Sequence, residues 1–154
     1  MSKENIKRIA VFDSNPDECS ATARAVREYY GTDQVLVEEF TDMQGFVEVF
    51  KQRSHREEGY HAVFLGVDGM LGVEAGRNIR EIDRRFPLFC VSHTWDYGLE
   101  SYRLHALNYL IKPVQSQNIG EAEGRINWNI ISNERFRRRV DDSRISANPI
   151  AAMP

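Results

Sequence analysis

The chain has 154 residues, of which 42% are hydrophobic and 28% are charged, and its net charge is −3. This length and composition predict one folded domain with a short appendage and exclude a disordered or collagen-like chain. The apolar runs are too short to span a bilayer, and the charge argues against nucleic-acid binding over the whole surface. The first residues, MSKENIKRIAVF, have no apolar segment followed by a cleavage site, so we expect no signal peptide. Cys19 and Cys90 are too few for a disulfide framework, so we expect reduced thiols and a cytoplasmic protein.

Short apolar runs alternate with helical patterns along the chain. In order, they predict a strand at 6–12, a helix at 17–30, a strand at 34–40, a helix at 43–53, a strand at 61–65, a helix at 73–85, a strand at 87–91, a helix at 95–105, a strand at 107–111 and a long helix at 116–140. This alternation predicts an α/β fold with a five-stranded, parallel, doubly wound sheet, five helices and a long C-terminal helix. We expect the folded domain to cover residues 1–131, with a helix extension and flexible tail over 132–154.

Polar residues follow the predicted strands where the strands end, at the edge where ligands bind in doubly wound sheets. They are Asp13 and Ser14 after the first strand, Gly66 and Asp68 after the third, Ser92 after the fourth and Lys112 after the fifth. The carboxylates, hydroxyl and lysine in this set could hold a metal or an oxyanion, although strand ends that simply meet water have the same composition. Asp13 or Ser14 is also a candidate cap for the first helix. We expect His93, at the same edge, to face solvent, with a hydrogen bond into this site as the alternative.

Three segments of the chain, IAVFDSNPDE, VFLGVDGMLGVE and VSHTWDYGLESYRLHALNYLIKPV, resemble the receiver domain of bacterial response regulators. The resemblance covers about residues 6–131, and the last segment is most similar to receivers of LytTR-type regulators. It implies a flavodoxin-like fold and phosphorylation of an aspartate by a histidine kinase, with Mg²⁺ bound beside that aspartate. It also implies that Ser92 is the hydroxyl switch residue, Tyr109 the switch aromatic and Lys112 the lysine of the Lys-Pro pair.

The sequence departs from the family at the phosphorylation pocket. Gly66 stands where the family has the phosphoacceptor aspartate, and glycine has no nucleophile. Ser14 replaces the second acid of the opening pair, which is the family's direct Mg²⁺ ligand, so Mg²⁺ binding should be weak or absent. Asp68 is two residues beyond Gly66, and we expect Asp68 or Asp13 to pair with Lys112 rather than to accept a phosphoryl group. We therefore expect a degenerate pocket with no catalytic residue, metal or cofactor.

Aromatic residues surround the predicted fourth helix and fifth strand, at Trp95, Tyr97 and Tyr102. In the family, the face made by helix 4, strand 5 and helix 5 is where receivers dimerise or contact output domains. Phe136 and Val140 continue a helical i, i+4 pattern past the end of the domain, which favours a helical partner. We expect a homodimer through this face, with a kinase or an output domain as further partners. We expect the receiver-like body to contact neither membrane nor nucleic acid, and the arginines near the C-terminus to be a solvated linker.

These observations predict a pseudo-receiver. This is a two-component-type signalling module that has lost aspartyl phosphorylation and acts through protein contacts, not as an enzyme, in signal transduction or transcriptional control. The alternative is the N-terminal receiver of a LytTR-type transcription regulator whose DNA-binding domain is outside this chain. A small flavodoxin-like enzyme or nucleotide binder would need a phosphate-binding loop after the first strand, and the sequence DSNPD there has no glycine.

Overall fold

The structure is a computed structural model, and it describes residues 6–123. Five parallel strands form one sheet in the order β2-β1-β3-β4-β5. The elements are β1 Lys7–Phe12, α1 Pro16–Tyr30, β2 Val35–Phe40, α2 Met43–His55, β3 Ala62–Gly66, α3 Leu71–Ile82, β4 Leu88–Ser92, α4 Gly98–Arg103, β5 Asn108–Ile111 and α5 Ser116–Glu123. The predicted α/β fold with its doubly wound sheet is therefore confirmed.

The strands are buried on both faces, as the continuous apolar runs indicate. In β1, Ile9 and Val11 belong to one core cluster, which includes residues of α1 and α5. Ala10 and Phe12 point the opposite way, into a second cluster that includes residues of α2 and α3. The helices thus cover both faces of the sheet, and the carboxyl ends of the strands remain open to one edge.

The first helix starts at a different cap from the one that the sequence suggested. Asn15 is the N-cap, and its side chain accepts a hydrogen bond from the backbone N–H of Glu18 at 3.1 Å. Pro16 follows at the first helical position, where its missing N–H costs nothing. The prediction that Asp13 or Ser14 caps this helix is wrong, because Asn15 lies directly before Pro16 and is the cap, while Asp13 Oδ1 accepts the backbone N–H of Asn15.

Two predicted helices are shorter in the structure. The third helix ends at Ile82, because Asp83 already has an extended backbone. The fourth covers only Gly98–Arg103, and its end is held by the buried guanidinium of Arg80, which donates to the carbonyls of Leu104 at 2.7 Å and His105 at 3.0 Å. Burial lowers the pKa of Arg80 to about 10, so this group stays charged at neutral pH.

The last predicted helix is described only in part. It runs from Ser116 to Glu123, and the proposed continuation to residue 140, the domain end at residue 131 and the tail over 132–154 all lie outside the described residues. Among residues 6–123, no helix is both long enough and apolar enough to cross a membrane.

Candidate functional site

The candidate site lies where β1 and β3 end side by side in the middle of the sheet. Phe12, the last residue of β1, pairs with Leu65, so Asp13, just past the end of β1, lies next to Gly66, the last residue of β3. Gly66 in turn pairs with Val91, and Ser92 ends β4. At this point the chain switches from one side of the sheet to the other, which is where parallel α/β sheets bind ligands.

One lysine joins three carboxylates at this edge. The Nζ atom of Lys112 lies 2.7 Å from Asp13 Oδ2, 2.7 Å from Glu18 Oε1 and 2.9 Å from Asp68 Oδ2. The Lys112 side chain is only 4% exposed and that of Asp13 only 7%, so both charges are shielded from water. An ammonium can be buried this far only because the carboxylates compensate its charge and accept its protons.

The pKa shifts follow from these contacts. Burial alone would lower the pKa of Lys112, but hydrogen bonds to Asp13, Glu18 and Asp68 outweigh it and raise the pKa above its ordinary value. The bond from Lys112 lowers the pKa of Glu18, against the effect of its partial burial. Burial would raise the pKa of Asp68, but bonds from Ser92 and Lys112 bring it below its usual value. The ammonium and these two carboxylates are therefore all ionised at neutral pH.

The space next to Gly66 is filled by Asp13. A Cβ atom placed on Gly66 would lie 2.3 Å from Asp13 Oδ2 and 3.1 Å from Asp13 Cβ. The other carboxylate oxygen, Asp13 Oδ1, accepts the backbone N–H of Asn15 at 3.0 Å, which fixes its direction. A side chain of any kind at residue 66 would have to displace this buried, charged neighbour.

Asp68, two residues after Gly66, accepts hydrogen bonds from three donors. Ser92 donates its hydroxyl to Asp68 Oδ1 at 2.5 Å, and Lys112 binds Oδ2. The backbone N–H of His93 lies 3.3 Å from both carboxylate oxygens. A carboxylate has about four lone-pair sites, so these three donors leave roughly one free, and each hydrogen bond withdraws charge from the oxygens. Asp68 is therefore a weak nucleophile.

The expected site residues are distributed as follows. Asp13, Asp68, Ser92 and Lys112 come together, whereas Ser14 is exposed at the rim. We expected either Asp68 or Asp13 to pair with Lys112, and in the structure both carboxylates do so.

Glu18 was not anticipated. Asn15, as the cap, places Glu18 in the first turn of α1 with its side chain over the strand ends. The available signal was an acidic residue three positions after Asn15, since asparagine is a frequent cap. His93, although more than half exposed, contacts the Glu18 carboxylate through its Nε2 atom, so the alternative of a hydrogen bond into the site is the one that the structure has.

The aromatic residues form an adjoining surface at α4. Trp95 is 67% exposed and Tyr102 71% exposed. The Tyr109 ring lies 5.2 Å from that of Trp95, centroid to centroid, and its hydroxyl donates to the Thr94 carbonyl at 2.6 Å. Tyr97 is half-buried and packs against the core, with its hydroxyl accepting the N–H of Gly69 at 3.1 Å. The other two expected partner residues, Phe136 and Val140, lie outside the described residues.

The residues present do not fit the Mg²⁺ site that the receiver resemblance implies. Mg²⁺ needs near-octahedral oxygen ligands, usually including one or two carboxylates. Gly66 offers no side-chain ligand, and the Asp13 carboxylate that remains is bonded to the Lys112 ammonium. A cation next to Asp13 would have to displace that ammonium, so Mg²⁺ binding here is at most weak.

The fold is similar to that of receiver domains in solved structures. No protein-family model and no curated protein matches the sequence. A CheY-like receiver domain from Methanospirillum hungatei JF-1 has a TM-score of 0.63 and 16% identity, over 84% of this chain and 98% of that one. A receiver domain from Methylobacillus flagellatus has a TM-score of 0.63 and 15% identity, over 79% of this chain and 99% of that one. The BeF3-activated DrrB receiver domain has a TM-score of 0.57 and 20% identity, over 78% of this chain and 99% of that one. The chain therefore has the fold of a CheY-like response regulator receiver domain.

Proposed function

We propose that this protein is a pseudo-receiver, a two-component-type signalling module that does not accept a phosphoryl group and acts through protein contacts in signal transduction or transcriptional control. The observation that carries the proposal is the contact between the Asp13 carboxylate and the space beside Gly66. A phosphoacceptor side chain at residue 66 would have to enter the space that the Asp13 carboxylate fills, and Lys112 holds that carboxylate in place. The site thus has neither the nucleophile nor room for one.

The charge arrangement supports the same proposal. In aspartyl phosphorylation, a cation must neutralise the phosphoryl group while a carboxylate attacks it. Here Lys112 is bonded to three carboxylates at once, and Asp68, the nearest alternative acceptor, is held by Ser92 and His93. The dianionic phosphoryl group of a donor would be repelled, because the cluster has three carboxylates and only one ammonium. We propose that the cluster serves as a permanent internal link and performs no catalysis.

We further propose that the partner is a second copy of this chain, bound at the face of α4, β5 and α5. β5 is an edge strand, with β4 on one side and no strand on the other within the described sheet. Next to it lie the exposed side chains of Trp95, Leu99 and Tyr102. Aromatic side chains are enriched at protein interfaces, and an edge strand is a ready site for pairing. A kinase or an output domain would be a further partner at the same surface.

The proposal is tested by exposing the full chain to acetyl phosphate and, separately, to beryllium fluoride, each with Mg²⁺. Intact mass spectrometry should detect no phosphoryl adduct, and the tryptophan fluorescence should not change. Trp95 contacts the Tyr109 ring beside the site, so its fluorescence would report a rearrangement there. The DrrB receiver domain, whose solved form is BeF3-activated, serves as the positive control under the same conditions.

A stable adduct that peptide mapping places on Asp68 would refute the loss of phosphorylation. In that case Asp68→Asn should abolish the adduct, whereas Asp17→Asn, which changes an exposed acid in the first turn of α1, should leave it unchanged. No adduct on the native chain, together with full modification of the DrrB control, would support the proposal.

A further inference from the structure

Lys112 and the carboxylates of Asp13, Glu18 and Asp68 form a cluster that we call the lysine cluster. On its solvent side, His93 lies next to two of these carboxylates, those of Glu18 and Asp68. One ligand atom from each of Glu18, Asp68 and His93 can be chosen so that all three atoms lie within 4.8 Å of one another. In a four-coordinate site with metal–ligand distances near 2.1 Å, two ligand atoms are about 3.4 Å apart. Rotamer adjustments of about an ångström would therefore bring the three atoms around one ion.

We propose that Glu18, Asp68 and His93 form a binding site for a divalent transition metal of the Zn²⁺ type. These residues are distinct from the aspartate pair and phosphoacceptor that hold Mg²⁺ in receivers. The ion would replace the contact between His93 Nε2 and Glu18 Oε2, and a solvent molecule would complete its coordination from the exposed side of His93. The inference goes beyond the proposed function, which neither requires nor excludes it.

The ligand types select the class of metal. An imidazole nitrogen with two carboxylate oxygens suits Zn²⁺ and its neighbours in the first transition row, whereas Mg²⁺ prefers oxygen ligands alone in octahedral geometry. The two thiols are not competitors within the described fold, because burial raises the pKa of both Cys19 and Cys90 to about 11. The site is therefore the mixed nitrogen–oxygen kind.

The residues around the proposed ligands hold them in place. Ser92 and the backbone N–H of His93 both donate to Asp68, and Lys112 donates to one oxygen of each carboxylate. On Glu18, Lys112 takes Oε1 and leaves Oε2 facing His93. Such outer hydrogen bonds orient metal ligands and contribute to affinity. Lys112 thus positions the ligands from the inside while the open coordination side faces solvent.

The charge of the cluster favours a divalent ion even with Lys112 present. Asp13, Glu18 and Asp68 carry three negative charges against the one positive charge of Lys112, which leaves two negative charges uncompensated. A divalent cation at the rim would neutralise them. The repulsion between the ion and the ammonium is reduced because the two contact different oxygens of Glu18.

The test is isothermal titration of the full, tag-free chain with Zn²⁺ alone, together with the visible absorption of bound Co²⁺. We expect one ion per chain, and Mg²⁺ in large excess should not displace it. His93→Ala should weaken Zn²⁺ binding at least about tenfold, and Glu18→Gln should weaken it similarly. The matched control is His55→Ala, which removes an exposed histidine at the end of α2 and should leave binding unchanged.

Circular dichroism of each variant establishes that the fold is retained, which is expected for His93 because its side chain is 55% exposed. The proposal is overturned if the native chain binds no Zn²⁺, if His93→Ala or Glu18→Gln binds as tightly as the native chain, or if His55→Ala weakens binding equally. None of these outcomes bears on phosphorylation, so a failure here is distinguishable from a failure of the pseudo-receiver proposal.

Discussion

The Oδ2 atom of Asp13 lies 2.3 Å from the point that a Cβ atom on Gly66 would occupy. No real Cβ atom tolerates such a distance, so residue 66 must be glycine as long as Asp13 keeps its place beside Lys112. The backbone of Gly66 is confined on another side as well, because a Cβ atom on Gly72 would lie 1.6 Å from the Gly66 carbonyl oxygen. The space around Gly66 is therefore filled by packed neighbours on two sides.

Gly66→Ala should destabilise the protein by about 1–3 kcal/mol, as overpacking in a closed core does. The free energy of unfolding from urea titration measures this change. Gly98→Ala is the matched control, since nothing lies within 4 Å of a Cβ atom there, and its effect should stay within about 0.5 kcal/mol. If both variants are equally stable, Asp13 does not confine residue 66. In an Asp13→Ala background the penalty of Gly66→Ala should shrink, because the clashing carboxylate is gone.

Gly66→Asp should not make the protein accept a phosphoryl group. The new carboxylate would compete with Asp13 for the same space and for Lys112, so the variant should either lose stability or turn the new side chain away from the site. Treatment with acetyl phosphate and Mg²⁺, followed by intact mass spectrometry, should show no adduct on this variant. An adduct on residue 66 would mean that Asp13 moves aside at little cost.

Lys112→Met should destabilise the protein by about 3–5 kcal/mol, because it leaves three neighbouring carboxylates without their shared cation. The methionine keeps most of the volume of the side chain, so the loss reports the charge and not a cavity. Lys51→Met, on the exposed surface of α2, is the control and should change the free energy of unfolding by less than about 0.5 kcal/mol. A similar small change for Lys112→Met would contradict the buried cluster.

The free energy of unfolding should fall at acid pH, because Glu18 and Asp68 become protonated there and lose their ion pairs. Both have a folded-state pKa below their ordinary values of 4.5 and 3.8, so their contribution is full above those values and is lost as the pH falls through the lower folded values. The contribution of Lys112 to stability has the opposite dependence on pH. Its raised pKa means that its contribution is full below pH 10.5 and is lost only at more alkaline pH.

Urea unfolding between pH 3 and pH 7 measures the acid-side slope. In Lys112→Met the crowded carboxylates no longer gain from ionisation, so the fall in stability toward acid should be much smaller than in the native chain or even reversed. Equal slopes in the two proteins would show that the ion pairs do not lower these pKa values.

Tyr102→Ser should weaken a dimer formed at the α4 face, because it removes the most exposed aromatic side chain there. We expect the native chain to have the mass of a dimer by light scattering at micromolar concentration, and the variant to shift toward the monomer. Leu36→Ser, which changes an exposed apolar residue on β2 at the opposite edge of the sheet, should leave the mass unchanged. A monomeric native chain would rule out this partner.

Much of the fold follows from the sequence, because alternating apolar runs and helical patterns define a doubly wound sheet without reference to side-chain detail. The same logic placed Asp13, Asp68, Ser92 and Lys112 at one edge. The role of Glu18 could not be predicted in this way, since its position over the strand ends depends on the helix cap at Asn15 and not on the spacing of the strands. The clash at Gly66 could not be anticipated either, because it depends on the direction in which the Asp13 side chain points at the neighbouring strand end.

The lysine cluster also has a consequence for the order in which the chain folds. Lys112 contacts Glu18 across 94 residues of sequence and Asp68 across 44. Contacts of such high sequence separation require most of the chain to be in place before they can form. We therefore expect the three ion pairs to be absent from the folding transition state, so that Lys112→Met speeds unfolding and leaves the folding rate nearly unchanged. The contacts of Lys112 would then be the last to form in folding, and they would determine the lifetime of the folded protein.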